Sequence, residues 1–265
     1  MDQGEAQQAA AADEVERRWR ETLGGSYLEQ AIGQLRSSGS PDALYRGYPP
    51  LRRLPADPMQ QAMLIAGATL SARRRRVESA RSAILYCILA AEAYANQYLQ
   101  SHLTGAEFDA ADRLPTFDKY VLAPRLVRGG DPLERTAEPA RTLKRLLKLR
   151  SRLVHPKLQD RRPAGAAADD PPEFEDFNPH AAACYLVAVA QAAGWLLASG
   201  ACPGSRGDIV VAVIEGERQF FLDFGKRASD ELPPFESEPA PDDLFLEALS
   251  RRRARLRPNP PVAGA

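Results

Sequence analysis

The chain has 265 residues, with 35 Lys and Arg against 35 Asp and Glu, a length that suits one domain of moderate size or one domain with extensions. Apolar residues make up 44%, enough to bury a core, which excludes a wholly disordered chain. A formal net charge of zero excludes coating of nucleic acid by bulk charge, so any contact with a polyanion needs a local patch. Three cysteines (Cys87, Cys184, Cys202) without a Cys-x-x-Cys pair, and three scattered histidines, exclude a disulfide scaffold and a structural zinc site. No metal or cofactor is expected.

The N-terminus opens Met1-Asp2-Gln3-Gly4-Glu5, polar and acidic, with no basic-then-apolar order. No secretory signal is expected, and the expected home is the cytoplasm. Residues 1–24 read as one exposed helix with Val15, Trp19 and Leu23 at every fourth position, ended by Gly24-Gly25. Residues 25–57 carry Pro41, Pro49, Pro50 and Pro55 and read as a linker or draped segment.

Helical pattern begins at Met59 and persists. Met59 to Leu70 forms one candidate helix and Arg73 to His102 a longer one, ending near Gly105. Thr116 caps a short helix, Phe117 to Val127, disturbed at Pro124. Asp131-Pro132 and Glu138-Pro139 are cap-then-proline starts, the second leading a helix to His155, where Pro156 stops it. Residues 156–177 form a loop. Asn178-Pro179 starts another helix and Gly200 is its stop. Residues 181–202 approach membrane-spanning length, but alanine dominates and Gln191 interrupts, so a buried bundle helix is expected rather than a membrane span. Asp208 to Phe224 reads as a last helix with Ile209, Val213, Phe220 and Phe224 on one face, although the Val-Val-Ala-Val-Ile run also suits a strand. Beyond Gly225 the chain is proline-rich and charged, with room for a short helix at 241–257 before it closes on a basic run and a Pro-Ala-Gly tail. The expected architecture is therefore all-α: a helical bundle over residues 58–226, an N-terminal extension (1–57) and a C-terminal tail (227–265), both extensions partly disordered. No repeat, glycine-rich phosphate loop or Gly-x-Ser-x-Gly elbow occurs.

Two helices carry polar groups on their apolar stripes. Leu85, Ile88, Leu89 and Leu99 define the first stripe, and Glu92 and Asn96 fall on it. Leu143, Leu146, Leu147 and Val154 define the second, and Arg150 sits within it. Burying a lone carboxylate or guanidinium costs several kcal/mol. The economical expectation is that Glu92, Asn96 and Arg150 converge, either as a structural ion pair or along a wet groove.

A dense basic face accompanies Arg150. Lys144, Lys148, Arg152 and Lys157 form a candidate phosphate-binding patch, alongside Arg141, Arg145, Arg161 and Arg162. The same face also reads as ordinary solvated charge, and the acidic loop Asp169, Asp170, Glu173, Glu175 and Asp176 can neutralise it. The Arg73–Arg76 run reads first as a solvated helix surface and second as a phosphate contact. His155 ends the same helix. A histidine titrates near neutrality and moves protons, whereas an arginine clamps a phosphate through two parallel hydrogen bonds. Together they can cleave RNA without metal: His155 deprotonates the ribose 2′-hydroxyl or protonates the leaving oxygen, and Arg150 stabilises charge on the phosphate. His102 and His180 read as caps or surface residues.

Three segments in order resemble the HEPN domain family (higher eukaryotes and prokaryotes nucleotide-binding). They are Glu92-x-x-x-Asn96, the segment Phe117-Asp118-Lys119-Tyr120 with Leu122 and Pro124, and Leu149-Arg150-Ser151-Arg152-Leu153-Val154-His155-Pro156, which is similar to the family's Arg-x4–6-His motif. The resemblance spans about residues 73–200. It implies an all-α bundle that homodimerises with its two motifs facing each other. It also implies metal-independent ribonuclease activity in a toxin–antitoxin or phage-defence setting with an antitoxin or defence partner, Arg150 and His155 being catalytic and Glu92 and Asn96 supporting. Ser151 stands where the family usually has Asn, Asp or His. The alternative is a non-catalytic helical module that binds a nucleotide or protein, in which Arg150 and Glu92 are a structural pair and His155 a helix cap.

Overall fold

A computed structural model describes residues 23–128, 134–154, 177–198 and 206–235. Among the described residues every regular element is helical and no strand occurs. The expectations placed on residues 1–22, on the loop after Val154 and on the tail beyond Phe235 lie outside them.

The first helix, α1, covers residues 23–37. Leu28, Ala31, Ile32 and Leu35 recur at the spacing of one helical face, and all four are buried. The expected stop at Gly24-Gly25 is corrected: both glycines lie inside α1. At Gly24 the reason is steric, because a Cβ there would sit 2.9 Å from the Tyr94 ring. The short α2 (Pro41–Leu44) and a 3-10 turn (Leu51–Arg53) follow. Much of the expected linker is thus helix packed on the bundle.

Met59–Leu70 and Arg73–His102 are one helix, not two. The long α3 (Pro58–His102) spans 45 residues. Asp57 caps it, accepting a hydrogen bond from the Met59 amide at 3.1 Å, and Pro58 occupies the first turn where no amide partner is needed. The arginine run continues it because arginine is a good helix former, and two of its guanidinium groups also hold the ends of other segments. Arg75 Nη1 donates to the Leu44 carbonyl at 3.0 Å and to the Arg46 carbonyl at 2.6 Å, beside the C-terminus of α2. Arg76 donates to the Ser229 and Glu231 carbonyls. Carbonyls at a helix C-terminus carry partial negative charge and attract cations. Arg75 and Arg76 are structural clamps, which corrects the solvated-surface reading for those two residues.

After α3 the chain turns at once into α4 (Gly105–Asp112), an element the sequence reading left out. Gly105 opens this helix rather than ending the previous one, and the Glu107 carboxylate accepts from both the amide (3.0 Å) and the hydroxyl (2.7 Å) of Thr104. Those two hydrogen bonds hold the Glu107 carboxyl below its ordinary range. Then come α5 (Thr116–Arg128), α6 (Ala140–Val154), α7 (Pro179–Ala198), α8 (Arg206–Gly216) and α9 (Arg218–Asp230).

The apolar stretch that approaches membrane length is α7. It is the central helix, packing against α3, α6, α8 and α9, with most of its apolar window buried. Asn178 Oδ1 accepts from the Ala181 amide at 2.8 Å, closing its N-terminus. Alanines at 182, 183, 188, 190, 192 and 193 are buried, and their small size lets neighbouring backbones come close. Gly225 of α9 shows the limit: a Cβ there would stand 2.5 Å from Ala183 Cβ and 2.8 Å from the Pro179 carbonyl oxygen. Gly225 also does not mark the end of helical structure, since α9 runs on to Asp230. The segment expected as helix or strand over 208–224 is two helices that break at Glu217. Val210, Val211, Val213 and Ile214 are all buried, and that burial outweighs their β propensity.

Candidate functional site

The polar cluster is built where α3, α5 and α6 meet. The stripe assignments shift slightly and decide its character. On α3 the buried face is Ile84, Cys87, Ile88, Ala91, Ala95, Tyr98 and Leu99, whereas Leu85 is 37% exposed and Leu89 half-buried. Glu92 and Asn96 share the Leu85–Leu89 side, so they stand at the rim of the core rather than within it. On α6 the buried face is Ala140, Leu143, Leu146 and Leu149. Leu147 is half-buried and Arg150 is exposed. The expectation of a guanidinium embedded in the apolar stripe is therefore corrected: Arg150 borders the core.

Across this rim Arg150 Nη1 lies 2.9 Å from Glu92 Oε1, with the arginine side chain 59% and the glutamate side chain 21% exposed. The contact is a close ion pair without an aligned hydrogen bond, for Glu92 Oε1 is buried and no N–H points at it. Three-fifths of the guanidinium side chain stays in water, so the pair contributes at most about 1 kcal/mol to folding, and Arg150 has donors to offer an incoming anion.

Asn96 does not touch Arg150 in this arrangement. Its Oδ1 accepts from Lys119 Nζ of α5 at 2.7 Å, and the same ammonium donates to Asp112 Oδ1 at the end of α4, also at 2.7 Å. The Lys119 side chain is 6% exposed and Asp112 50%. A buried ammonium is tolerated only when paired and hydrogen-bonded, and here an amide and a carboxylate do both. Next to it, the buried Tyr120 hydroxyl donates to the Ala91 carbonyl at 2.9 Å, one residue before Glu92. Desolvation pushes the Tyr120 phenol well above its usual range. The Lys119 and Tyr120 bonds fasten α5 to α3 on either side of the turn that carries Glu92.

The far end of α6 is tied to α3 as well. Arg81 donates to the Leu153 carbonyl at 3.4 Å and lies 5.9 Å over the Phe177 ring. Leu153 stands two positions before His155. Of the two candidate catalytic residues, Arg150 is thus placed. His155 lies outside the described residues, as do Lys157 and the side chains of Ser151 and Arg152. Within the candidate phosphate patch, Lys144 and Lys148 are on the exposed face of α6, and Lys144 Nζ sits 5.7 Å over the Phe117 ring, where the quadrupole favours a cation. Arg141 is engaged by Glu138 at 3.0 Å. The acidic loop expected to cover this face lies outside the described residues.

His102 and His180 occupy helix ends. His102 Nδ1 is 2.7 Å from the Tyr98 carbonyl oxygen, closing α3, and the His180 amide donates to Ser229 Oγ at 2.8 Å at the start of α7. Among the described residues no group of three or more His, Cys, Asp or Glu is arranged to hold a metal. Sequence reasoning missed the roles of Asp112 and Arg81. The signal for the first was Lys119 itself: a lysine beside the buried pair Tyr120–Val121 needs a carboxylate, and of the two preceding acids Asp118 pairs with Arg135 while Asp112, seven residues back, takes the ammonium. No family model, no curated protein and no solved structure matches this chain.

Proposed function

We propose that the chain is a HEPN-like helical protein that cleaves RNA without metal, with Arg150 as the phosphate clamp and His155 as the proton-transfer group. The single observation that carries this reading is the rim placement of Arg150, tethered by Glu92 at 2.9 Å yet 59% exposed. A guanidinium held by one carboxylate at a solvent-facing edge is oriented for an anion, and charge-assisted, two-pronged hydrogen bonding to a phosphate suits it. In the proposed step the His155 imidazole takes the 2′-hydroxyl proton and the 2′-oxygen attacks phosphorus. The 5′-oxygen then departs with a proton taken from water, and the His155 imidazolium returns its proton to the solvent, leaving a 2′,3′-cyclic phosphate and a 5′-hydroxyl. Arg150 holds the non-bridging oxygens as charge builds. Lys144 and Lys148 extend positive charge along the strand path. Glu92 and Asn96 position rather than react, and Ser151 is a supporting residue that follows the clamp in sequence. A homodimer, an RNA substrate, a cytoplasmic location and an antitoxin or defence partner belong to this reading.

The test is cleavage of mixed single-stranded RNA by the full chain in excess chelator. Expected are fragments ending in 2′,3′-cyclic phosphate, with a loss of at least 100-fold in Arg150→Ala and His155→Ala while the circular dichroism spectrum is unchanged. Absence of cleavage by the unaltered chain rejects the proposal. A second reading is favoured by the same ion pair seen from the other side: Glu92 already neutralises Arg150, as in a non-catalytic binding module. That reading expects no nuclease activity and a small drop in melting temperature for Arg150→Ala, about 1 kcal/mol or less for a pair so exposed, with His155→Ala silent.

A further inference from the structure

The N-terminal third of α3 carries an apolar stripe that nothing described covers. Met59 is 75%, Met63 71% and Leu70 62% exposed, the three highest values among the large hydrophobic residues of the described chain. With exposed Ala66 they are spaced four, three and four residues apart. On a helix of 3.6 residues per turn these positions fall within an arc of about 60°, the seam of a coiled-coil pair. Scattered surface methionines need no explanation, but a contiguous seam does.

We propose that the seam is the docking site for this chain's own C-terminal segment, residues 241–257, laid antiparallel along α3 as an amphipathic helix. Three observations single out this occupant. The first is where the described chain ends. Tyr45 donates to the Pro233 carbonyl at 2.8 Å, and the Phe235 ring stacks edge-on against Tyr45 (5.1 Å) and Tyr48 (6.5 Å). Tyr48 in turn is hydrogen-bonded to the Gly67 carbonyl at 3.0 Å and to Ser71 Oγ at 2.8 Å. Phe235 therefore leaves the chain on the flank of α3 next to Leu70. Five residues, 236–240, separate it from 241 and reach about 17 Å, a length of the same order as the seam itself.

The second is pattern. Phe245, Ala248, Leu249 and Leu256 share one face of a helix over 241–257, and Phe245, Leu249, Arg252 and Leu256 repeat the four-three-four spacing of the seam. The third is charge. Glu236, Glu238, Asp242, Asp243 and Glu247 cluster at the start of the segment, and exposed Arg73 and Arg74 follow Leu70 on either side of the seam at the end nearest Phe235. The antiparallel course brings those signs together and sets the two helix dipoles in opposition. A second copy of the chain fits less well as occupant. The seam is twelve residues long, and a stable interface engages about 20–30 residues a side. A tethered segment docks at an effective concentration in the millimolar range, so a small seam suffices for it. The seam lies some seven turns of α3 from Glu92, so docking leaves the Arg150 rim open.

The test is hydrogen exchange on the full chain against Phe245→Asp/Leu249→Asp. Amides 61–72 are expected to exchange at least tenfold faster in the double variant, with residues 84–99 unchanged, and the difference is expected to persist on hundredfold dilution. In parallel, Ala66→Cys/Leu249→Cys, which face each other in that register, is expected to oxidise within one chain, running as a monomer on a non-reducing gel. Equal exchange in the two proteins, protection that vanishes on dilution, or a disulfide-linked dimer in place of the intrachain bond would each overturn the docking.

Discussion

The two ends of α3 are one helix with two fates. From Ala80 to Leu99 it buries Ile84, Cys87, Ile88, Ala91, Ala95 and Tyr98 against the bundle. From Met59 to Leu70 it shows Met59, Met63 and Leu70 to solvent. Both stretches have helical apolar spacing, so periodicity alone marks a face without saying what covers it. Neighbours make the difference. The lower stretch has α1, α5, α6 and α7 around it, and the upper one is held on its opposite side by α2, Tyr48 and the Arg75 clamp.

Substitution across that boundary gives the largest expected effect. Ile88→Ala removes a side chain that is 1% exposed and is expected to cost about 2–5 kcal/mol. Met63→Ala removes one that is 71% exposed among the described residues, so only its contact with the docked C-terminal segment is lost, and the cost is expected to stay below about 2 kcal/mol. Urea titration of both variants reads the contrast directly. Equal losses would mean that the upper stretch is as deeply packed as the lower and that the comparison is mistaken.

Much of this was legible in the sequence, for stated reasons. The all-α class, the starts of α5, α6 and α7, and the use of the described part of the apolar stretch, 181–198, as a core helix followed from caps, prolines and period. The meeting of Glu92 with Arg150 was expected from the burial of both charges, and it occurs although only Glu92 is largely enclosed. What escaped were features set by tertiary contact. Gly24 reads as a stop because glycine usually ends helices, yet here it makes room for Tyr94. Arg75 and Arg76 read as solvated because carbonyl partners 29 to 155 residues away in sequence leave no local signal. The error on Leu85 was one of phase: Ile84 and Cys87, rather than Leu85 and Leu89, face inward, a rotation of a single residue that moves Glu92 from the core to its rim.

A smaller effect sharpens the account of that rim. Lys119 is the buried hub between Asn96 and Asp112, whereas Arg150 is the exposed partner of Glu92. Lys119→Met keeps the volume but strands two acceptors, of which Asn96 is the more enclosed, and is expected to destabilise by about 1–3 kcal/mol. Its loss is expected to exceed that of Arg150→Ala in the same titration. The reverse order would show that the ion pair, rather than the lysine, organises the place where α3, α5 and α6 meet.

The smallest expected effect lies on the far side of α7, where Glu215 of α8 leans over Gly194, its Oε1 2.6 Å from the place a Cβ would take. Partial desolvation there raises the Glu215 carboxyl above its ordinary value. The folded protein therefore holds this proton more tightly than the unfolded chain. At neutral pH both states are ionised and the unfolded one is favoured by the difference. As pH falls through the raised folded value the native state is protonated first and stability rises, levelling off once the unfolded carboxyl is also protonated, near pH 4 to 4.5 by its ordinary pKa of about 4.3. Glu215→Gln is neutral throughout. It is expected to melt slightly above the unaltered chain at pH 7, and the gap is expected to shrink steadily as the pH is lowered toward 4.5. A gap that stays constant across that window would mean that Glu215 is as well solvated in the fold as out of it.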